Sequence, residues 1–309
     1  MSLITFFAAP KPLVDERIST IQMNAFRSWA ALPEVDVILM GDEVGVSEAA
    51  SQVGARHITD VRRNSRGTPL ISSMIQFARE YSTSPLLCVI NADMIIMRDM
   101  VEASRQVREL ASRFVMLSRR WDLEMNGPLH LQAGWEAELQ ARVRAEGRLH
   151  RPAGSDFFVF PRDIYHSVPE FAVGRAGWDN WMIYSARRSR WPVIDCTPSV
   201  MAVHQNHDYS HLPGGAPHYA MPESDENIRL AGGTASIRYT ILDSTHVLSD
   251  GRLRRPKISG PRIARGVEVT LRTALFFLPA TVTEELVRPR RWKKRFLRAI
   301  GRRQGKEDN

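Results

Sequence analysis

The sequence lacks the features that mark several large classes of protein. Only Cys88 and Cys196 are cysteines among its 309 residues, which excludes a disulfide framework or a cysteine-rich zinc site and predicts two buried free thiols. The longest apolar run after the first strand, residues 274–282, is broken by Pro279 and is far shorter than the ~20 residues of a membrane-spanning helix. Residues 3–9 have no Lys or Arg before them, which favours a first buried strand over a signal peptide.

Several catalytic and nucleotide-binding motifs are also missing. No G-x-G-x-x-G follows the first predicted strand, which disfavours a dinucleotide enzyme. The chain has no P-loop, because the loop at residues 64–68 has one glycine and no following Lys-Ser or Lys-Thr pair. There is no G-x-S-x-G elbow of the kind that esterases use.

Acidic residues are scarce only at the carboxyl-terminal end. The whole chain carries +8, but residues 252–309 hold 17 Lys and Arg against 5 Asp and Glu, so the remainder carries −4. The main domain therefore has no basic excess and no nucleic-acid-binding motif, which excludes nucleic acid as an expected partner. The tail has two interpretations, binding to an anionic membrane surface through the basic run at residues 288–297, or a solvated helix.

The sequence does contain an alternation of strand and helix patterns with short connections. Over residues 1–120 this alternation predicts an α/β fold with a mostly parallel sheet flanked by helices. The strongest strand pattern is residues 85–90. Further along we expect helices at 135–147 and 178–187, strands at 156–160 and, interrupted, 193–203, and a loop-rich stretch at 210–250.

Ligands of open α/β sheets bind beyond the carboxyl ends of the strands, so polar residues there are candidate site residues. Asn91 and Asp93 follow the strongest strand two positions apart, and on a continuing strand they would share a face. Such an oxygen-rich pair suits Mn²⁺ or Mg²⁺. The alternative is a turn in which both residues cap the next helix.

Histidines follow the last predicted strand. His204, His207, Asp208 and His211 have a spacing that would converge on zinc if the segment were helical. The preceding run is β-rich, so a strand-to-loop path is expected, on which one or two of these side chains bind a metal or a phosphate.

Asp179 begins a predicted helix between two tryptophans. It is either the N-cap or a general base whose pKa is raised by the apolar neighbours. Trp178 and Trp181 either stack on a sugar ring or fill a core. In the loop at residues 64–68, the backbone amides near Gly67 and Thr68 are expected to face a phosphate.

Taken in order, these motifs resemble the GT-A class of nucleotide-sugar-dependent glycosyltransferases, in particular bacterial glycosyltransferase-like proteins with an N-x-D variant of D-x-D. The resemblance covers residues 3–211 and rests on residues 91–93, 154–158, 177–181 and 204–207. Asn91 in place of the usual first Asp removes one negative charge from the metal site.

The resemblance implies a GT-A domain at 1–250, with a nucleotide-binding half at 1–120 and an acceptor half at 121–250, followed by a basic extension at 251–309. It implies Mn²⁺ or Mg²⁺ bound by Asp93 with His204 or His207, and inverting transfer with Asp179 as the base. The implied donor is a UDP- or GDP-sugar, contacted by Ala8, Ala9, Pro10, Asp42, Asn64, Gly67, Thr68, Asn91, Ala92, Asp93, Asp156 and Trp178.

The acceptor expected from the resemblance is a glycan or a lipid-linked sugar of the cell envelope, reached from the cytoplasm by a peripheral membrane protein. Two alternatives stay open. One is a nucleotide-sugar-binding module without turnover, and the other is a zinc hydrolase built on His204, His207 and His211. Tight zinc without donor binding would favour the hydrolase.

Overall fold

The computed structural model of the chain describes residues 2–207 and 221–274. The chain divides into two units, the first ending at Pro256 and the second beginning at Lys257. Asp208, His211 and the basic run at 288–297 lie outside the described residues.

The first unit is built on a nine-stranded sheet within this described part. Five of its eight strand pairings are parallel, so the predicted α/β class with a mostly parallel sheet is confirmed. The order is β13-β12-β10-β6-β9-β4-β1-β2-β3, with bounds β1 Ile4–Ala8, β2 Val35–Met40, β3 Arg56–Ile58, β4 Leu86–Ile90, β6 Val115–Leu117, β9 Phe157–Pro161, β10 Val193–Asp195, β12 His246–Ser249 and β13 Arg252–Arg254.

Helices cover both faces of this sheet because its central strands are apolar on both sides. Successive residues of β1 point into opposite core layers, Phe6 into one and Phe7 into the other, and both are fully buried. Cys88 of β4 and Cys196 are buried free thiols, as the sequence predicts. The helices are α1 Glu16–Ala30, α2 Val46–Val53, α3 Ile71–Tyr81, α4 Arg98–Leu110, α5 Trp135–Glu146, α6 Trp178–Arg188 and α7 Pro222–Leu230.

A second, four-stranded sheet lies at the carboxyl end of β4. Its order is β5-β11-β7-β8, with β5 Met94–Ile95, β7 Arg120–Leu123, β8 Arg148–Leu149 and β11 Ala202–Gln205. The interrupted strand expected at 193–203 is therefore two strands in two sheets, because the chain turns at Cys196, whose carbonyl accepts from the N–H of Ser199 at 2.8 Å. His204 consequently lies inside a strand and not after one.

The loop-rich prediction for residues 210–250 is wrong for the described part of that stretch. It contains α7, a short 3-10 helix at Ile241–Asp243 and the strand β12. Helix α7 shows no hydrophobic periodicity in the sequence, because the residues that it buries are polar. These are Glu223, Ser224 and Asn227. The sheet also continues past residue 250 through β13, which pairs antiparallel with β12.

In the second unit the described residues form helix α8, Gly260–Ala274. Arg265 and Glu268 make an ion pair at 3.1 Å one turn apart. Ile263 and Val267, also one turn apart, are exposed at 56% and 53%. Among the described residues no helix combines the length and apolarity needed to cross a bilayer.

Candidate active site

Three side chains of the types that ligate metals converge beyond the carboxyl end of β4. Asp93 Oδ2 lies 3.1 Å from His207 Nε2 and 3.6 Å from His204 Nε2. One ligand atom from each residue lies within 4.8 Å of those of the other two. Atoms about 2 Å from a shared ion are about 3 to 4 Å apart, so the three side chains fit around a single cation.

The small sheet determines where His204 lies. Strand β11 runs between β5 and β7, and in this register His204 is opposite Met94 on one side and Asp122 on the other. The side chain of Gln205 donates to the carbonyl of Asp93 at 3.2 Å. Backbone pairing thus holds His204 beside the residue that precedes β5, which is Asp93.

Opposite charges accumulate in this cluster. Burial alone would raise the pKa of Asp93, but His204 and His207 hold that pKa well below its usual range. Burial would lower the pKa of His204, yet Asp93 and Asp122 raise it to about 9. In the absence of an ion, the carboxylate is therefore charged and His204 is protonated at neutral pH.

Asp93 also carries an oxygen without a partner. Its Oδ1 is buried and accepts no hydrogen bond from any residue in the described part of the chain. Buried polar atoms are nearly always satisfied, so this oxygen needs a ligand that the side chains do not supply. A divalent cation beside Oδ2 and the two imidazoles is such a ligand, and the donor set therefore fits a metal.

Asn91 does not lie in the metal cluster. Its Nδ2 donates to Asp156 Oδ1 at 3.0 Å, and its backbone N–H donates to the Asp156 carbonyl at 2.8 Å. The expectation that Asn91 and Asp93 form an oxygen pair on one face is therefore wrong, because the chain turns after β4 and sends the two side chains to different partners. Asn91 instead holds Asp156.

A polar network that the sequence analysis missed surrounds the cluster. Arg120 donates from Nη1 to Asp156 Oδ1 at 2.7 Å and from Nε to Asp122 Oδ1 at 2.8 Å. Asp122 Oδ2 lies 2.7 Å from His150 Nδ1, and Asp122 Oδ1 lies 3.4 Å from His204 Nδ1. Alternation around residues 120–123 is too short to reveal these contacts, which join distant parts of the chain.

Asp179 lies in the first turn of α6, two residues after the cap position. The N-cap is Gly177, so the N-cap interpretation of Asp179 is wrong. Burial raises the pKa of Asp179 to about 6, with a further increase from the charge of Asp156, while the backbone N–H groups of Asn180 and Ser155 act in the opposite direction. A carboxyl with this pKa is largely ionised at pH 7 and retains basicity.

Trp178 belongs to the core. It is 4% exposed and packs edge-on against Phe158, with ring centroids 5.7 Å apart. The predicted contact of Trp178 with a donor sugar is contradicted by this burial. Trp181 likewise packs against Phe171, with centroids 5.3 Å apart.

The loop at residues 64–68 does not present its amides to a ligand. The N–H groups of Gly67 and Thr68 donate to the backbone and side-chain oxygens of Asn64, at 3.0 and 2.9 Å. The expectation that the amides of Gly67 and Thr68 face a phosphate is therefore wrong, since the carbonyl and the side chain of Asn64 already satisfy these donors. Asn64 Nδ2 and Thr68 Oγ1 each donate to Glu223 Oε1 at 2.6 Å.

The carboxyl end of β2 carries two acids with different surroundings. Asp42 is 72% exposed and bonds Arg63 at 2.5 Å, whereas Glu43 is 16% exposed and bonds the same arginine at 2.7 Å. Glu43 Oε2 is buried and has no hydrogen-bond partner among the described residues. Glu43, next to the predicted Asp42, is thus the more enclosed acid of this end.

Lys11 lies within electrostatic range of Asp93 and of a second cation, Arg175. Ala8 and Pro10 are buried at the end of β1, Ala9 is partly exposed, and Lys11 follows them. Burial lowers the pKa of Lys11, Asp93 raises it and Arg175 lowers it, so Lys11 senses both charges. Arg175 is held by Glu223, with Nε 2.7 Å from Oε2. The position of Lys11, three residues past the end of β1, was the available signal.

Comparison with solved structures finds proteins whose three-dimensional structure is similar to that of this chain. The chain is similar to glucosyl-3-phosphoglycerate synthase from Mycobacterium tuberculosis in complex with Mn²⁺, UDP-glucose and phosphoglyceric acid (TM-score 0.46, 15% identity, 84% of this chain and 88% of that chain). It is also similar to S. aureus TarS 1–349 in complex with UDP-GlcNAc (TM-score 0.49, 12% identity, 93% and 76%). No family model and no curated protein matches the sequence.

Proposed function

We propose that this protein is a GT-A type glycosyltransferase that moves a sugar from a UDP- or GDP-sugar to an acceptor hydroxyl with the help of Mn²⁺ or Mg²⁺. The observation that carries the proposal is the cluster of Asp93, His204 and His207, with its unpartnered carboxylate oxygen, at the carboxyl edge of a mostly parallel sheet. Ligands of such sheets bind at this edge.

Asp93, His204 and His207 would hold the metal. A divalent ion bound there supplies positive charge against the negative charge that develops on a leaving diphosphate. Two imidazoles and one carboxylate would supply three protein ligands, fewer than Mn²⁺ or Mg²⁺ takes, so the donor set would allow the ion to bind the diphosphate as well. The proposed ligand set is richer in nitrogen than an N-x-D pair would be.

Lys11 and Arg175 are suited to bind the diphosphate itself. Both are cations within electrostatic range of Asp93 or of each other. Glu223 fixes the guanidinium of Arg175, because the same carboxylate accepts from Thr68 and Asn64 and cannot follow a moving arginine. In this assignment residues 1–120 contribute Lys11 and Asp93, and residues 121–250 contribute Arg175 and the acceptor site.

Asp179 is the proposed base. Its pKa of about 6 leaves it ionised at neutral pH while keeping it basic enough to take a proton from an acceptor hydroxyl. Attack by that hydroxyl on the anomeric carbon, from the face opposite to the diphosphate, would invert the configuration. Asp156 contributes by keeping a negative charge near Asp179.

The test is release of nucleoside diphosphate from a panel of UDP- and GDP-sugars with glycan and lipid-linked acceptors, with and without Mn²⁺ or Mg²⁺. We expect metal-dependent turnover that Asp93→Ala lowers at least about 100-fold. Asp36→Ala is the matched control, because Asp36 is an exposed carboxylate at the opposite end of the sheet. Turnover that survives Asp93→Ala, or donor binding without any turnover, would overturn the transferase proposal, and the second result would favour the inactive binding module.

A zinc hydrolase is the second candidate, because one carboxylate and two histidines are also the protein ligands of catalytic zinc in several hydrolases. His211, which that hypothesis uses, lies outside the described residues. Purified protein that retains one equivalent of zinc through dialysis and binds no nucleotide sugar by titration calorimetry would favour the hydrolase.

We also propose peripheral binding to the inner face of an anionic membrane, which would bring the enzyme to a lipid-linked acceptor of the cell envelope. Ile263 and Val267 form an exposed apolar pair on α8, within the part of the sequence that carries +12. Basic segments with apolar side chains bind such surfaces. The full-length double variant Ile263→Asp/Val267→Asp should pellet less with anionic vesicles than the wild type, and equal pelleting would discard this proposal.

A further inference from the structure

Asp122 occupies a defined place relative to the metal cluster although it is not one of its three members. It lies on β7 directly opposite His204 of β11, and the two strands are parallel. Paired residues on neighbouring strands project to the same face of a sheet, so the carboxylate and the imidazole face each other. Asp122 Oδ1 lies 3.4 Å from His204 Nδ1, which is within ion-pair distance, and this buried nitrogen has no hydrogen-bond partner among the described residues.

The two nitrogens of His204 therefore face two different carboxylates. Nδ1 faces Asp122, and Nε2 faces Asp93 Oδ2 at 3.6 Å. A histidine that binds a metal is neutral, with the proton on one ring nitrogen and the lone pair of the other directed at the metal. A carboxylate beside Nδ1 favours the proton there, which leaves the lone pair of Nε2 directed at the cation site.

Asp122 is itself held from both sides. Arg120 Nε donates to Oδ1 at 2.8 Å, and His150 Nδ1 lies 2.7 Å from Oδ2. The Asp122 side chain is 19% exposed. A carboxylate fixed in this way cannot rotate away from His204 without losing a hydrogen bond to Arg120 or to His150.

We propose that Asp122 is a positioning residue that, fixed by Arg120 and His150, sets the tautomer and the ring orientation of His204 so that Nε2 binds the metal. This inference rests on the metal site of the proposed function and not on sugar transfer. Carboxylates that accept from the free nitrogen of a metal-bound histidine typically change metal affinity 10- to 100-fold when they are removed.

The test measures metal binding in the absence of nucleotide and acceptor. Titration calorimetry with Mn²⁺ alone compares wild type, Asp122→Ala, Asp122→Asn and the control Glu146→Ala, which removes an exposed carboxylate from α5. We expect about 10- to 100-fold weaker binding for Asp122→Ala and unchanged binding for Glu146→Ala. Asp122→Asn should recover most of the affinity, because an amide oxygen held by Arg120 would replace the carboxylate oxygen beside Nδ1.

A spectroscopic measurement separates orientation from general damage to the fold. In ¹⁵N spectra of the full-length zinc-loaded protein, His204 should show a protonated Nδ1 and a metal-bound Nε2. Mn²⁺ binding by Asp122→Ala as tight as in the wild type, Asp122→Asn as weak as Asp122→Ala, or metal bound through Nδ1 would each overturn the proposal. If the wild type binds neither Mn²⁺ nor Zn²⁺, the metal site of the proposed function fails together with this inference. If only the variants behave contrary to expectation, the proposed function stands.

Discussion

Replacing Asn91 by aspartate would restore the two-carboxylate form of the motif, yet we expect this substitution to damage the protein. Asn91 Nδ2 donates to Asp156 Oδ1 at 3.0 Å, and Arg120 donates to the same oxygen at 2.7 Å. Aspartate at position 91 would remove a donor and bring a second negative charge against Asp156. The amide at this position is therefore required by Asp156 and not by the metal.

The magnitude follows from the distance. Two unit charges 3.0 Å apart repel by about 5 kcal/mol at an effective dielectric constant of about 20, and attraction to Arg120 offsets roughly half of this. Loss of the hydrogen bond to a charged acceptor adds about 1 to 2 kcal/mol. Asn91→Ala should therefore lower the free energy of unfolding by about 1 to 2 kcal/mol, and Asn91→Asp by about 3 to 5 kcal/mol.

Urea denaturation at pH 7.5 and at pH 4, without metal, measures both substitutions. Like charge raises the pKa of the introduced carboxyl in the folded state above its unfolded value near 4. The native state of Asn91→Asp thus loses stability as the pH rises from about 4, so its difference from Asn91→Ala should be present at pH 7.5 and mostly gone at pH 4. Asn126→Asp is the control, because Asn126 is exposed. Equal stability of Asn91→Asp and Asn91→Ala at pH 7.5 would refute the reasoning.

Three further predictions concern carboxylates that are partly or fully buried. Asp179→Asn should lower kcat about 100-fold or more in steady-state assays. The kcat/KM of the wild type should rise with pH through about 6, because the base acts when it is ionised. A kcat/KM that does not change with pH would contradict the role of Asp179. Glu223→Ala should lower the free energy of unfolding by about 3 to 5 kcal/mol at pH 7.5, because it removes the carboxylate that pairs with Arg175. This difference should shrink as the pH falls through the lowered pKa of Glu223, and chemical denaturation at several pH values measures it. Asp99→Asn should raise the free energy of unfolding at pH 7.5 by roughly 1 to 3 kcal/mol, because the pKa of Asp99 is raised to about 6 in the folded protein. Asparagine keeps an acceptor for the Met201 N–H. A melting temperature below that of the wild type would contradict this prediction.

The main sheet was predictable because its central strands are apolar on both faces. Residues 86–90 are Leu-Leu-Cys-Val-Ile, a continuous apolar run that is typical of a strand buried on both faces. The small sheet was not predictable, since β5 and β8 have two residues each and β11 pairs with strands that are about 80 and 110 positions earlier in the sequence. Short strands are stabilised by neighbours that no local pattern reveals.

The rule that ligands bind at strand ends pointed to Asp93, the proposed metal ligand, but it did not distinguish candidate ligands from the residues that hold them in place. Asn91 looks like a ligand in the sequence and is a donor to Asp156 in the structure. Trp178 looks like a sugar platform and is a core residue, because no property of a tryptophan in a sequence tells which side of it is covered. The role of Glu223 could not be predicted from the sequence, because the helix that contains it buries polar residues.

The small sheet has a consequence for the energetics of ion capture. His204 and Asp122 are carried by adjacent strands, and Asp93 directly precedes a third, so backbone pairing fixes their separations before any ion arrives. Metal affinity falls when mobile side chains must become ordered as the ion binds. Here the strand pairing already orders these residues when the chain folds. The part of the proposed metal centre that the small sheet carries is preorganised, and we expect ion binding to change backbone dynamics little there, as amide hydrogen exchange across β5, β7 and β11 with and without Mn²⁺ would show.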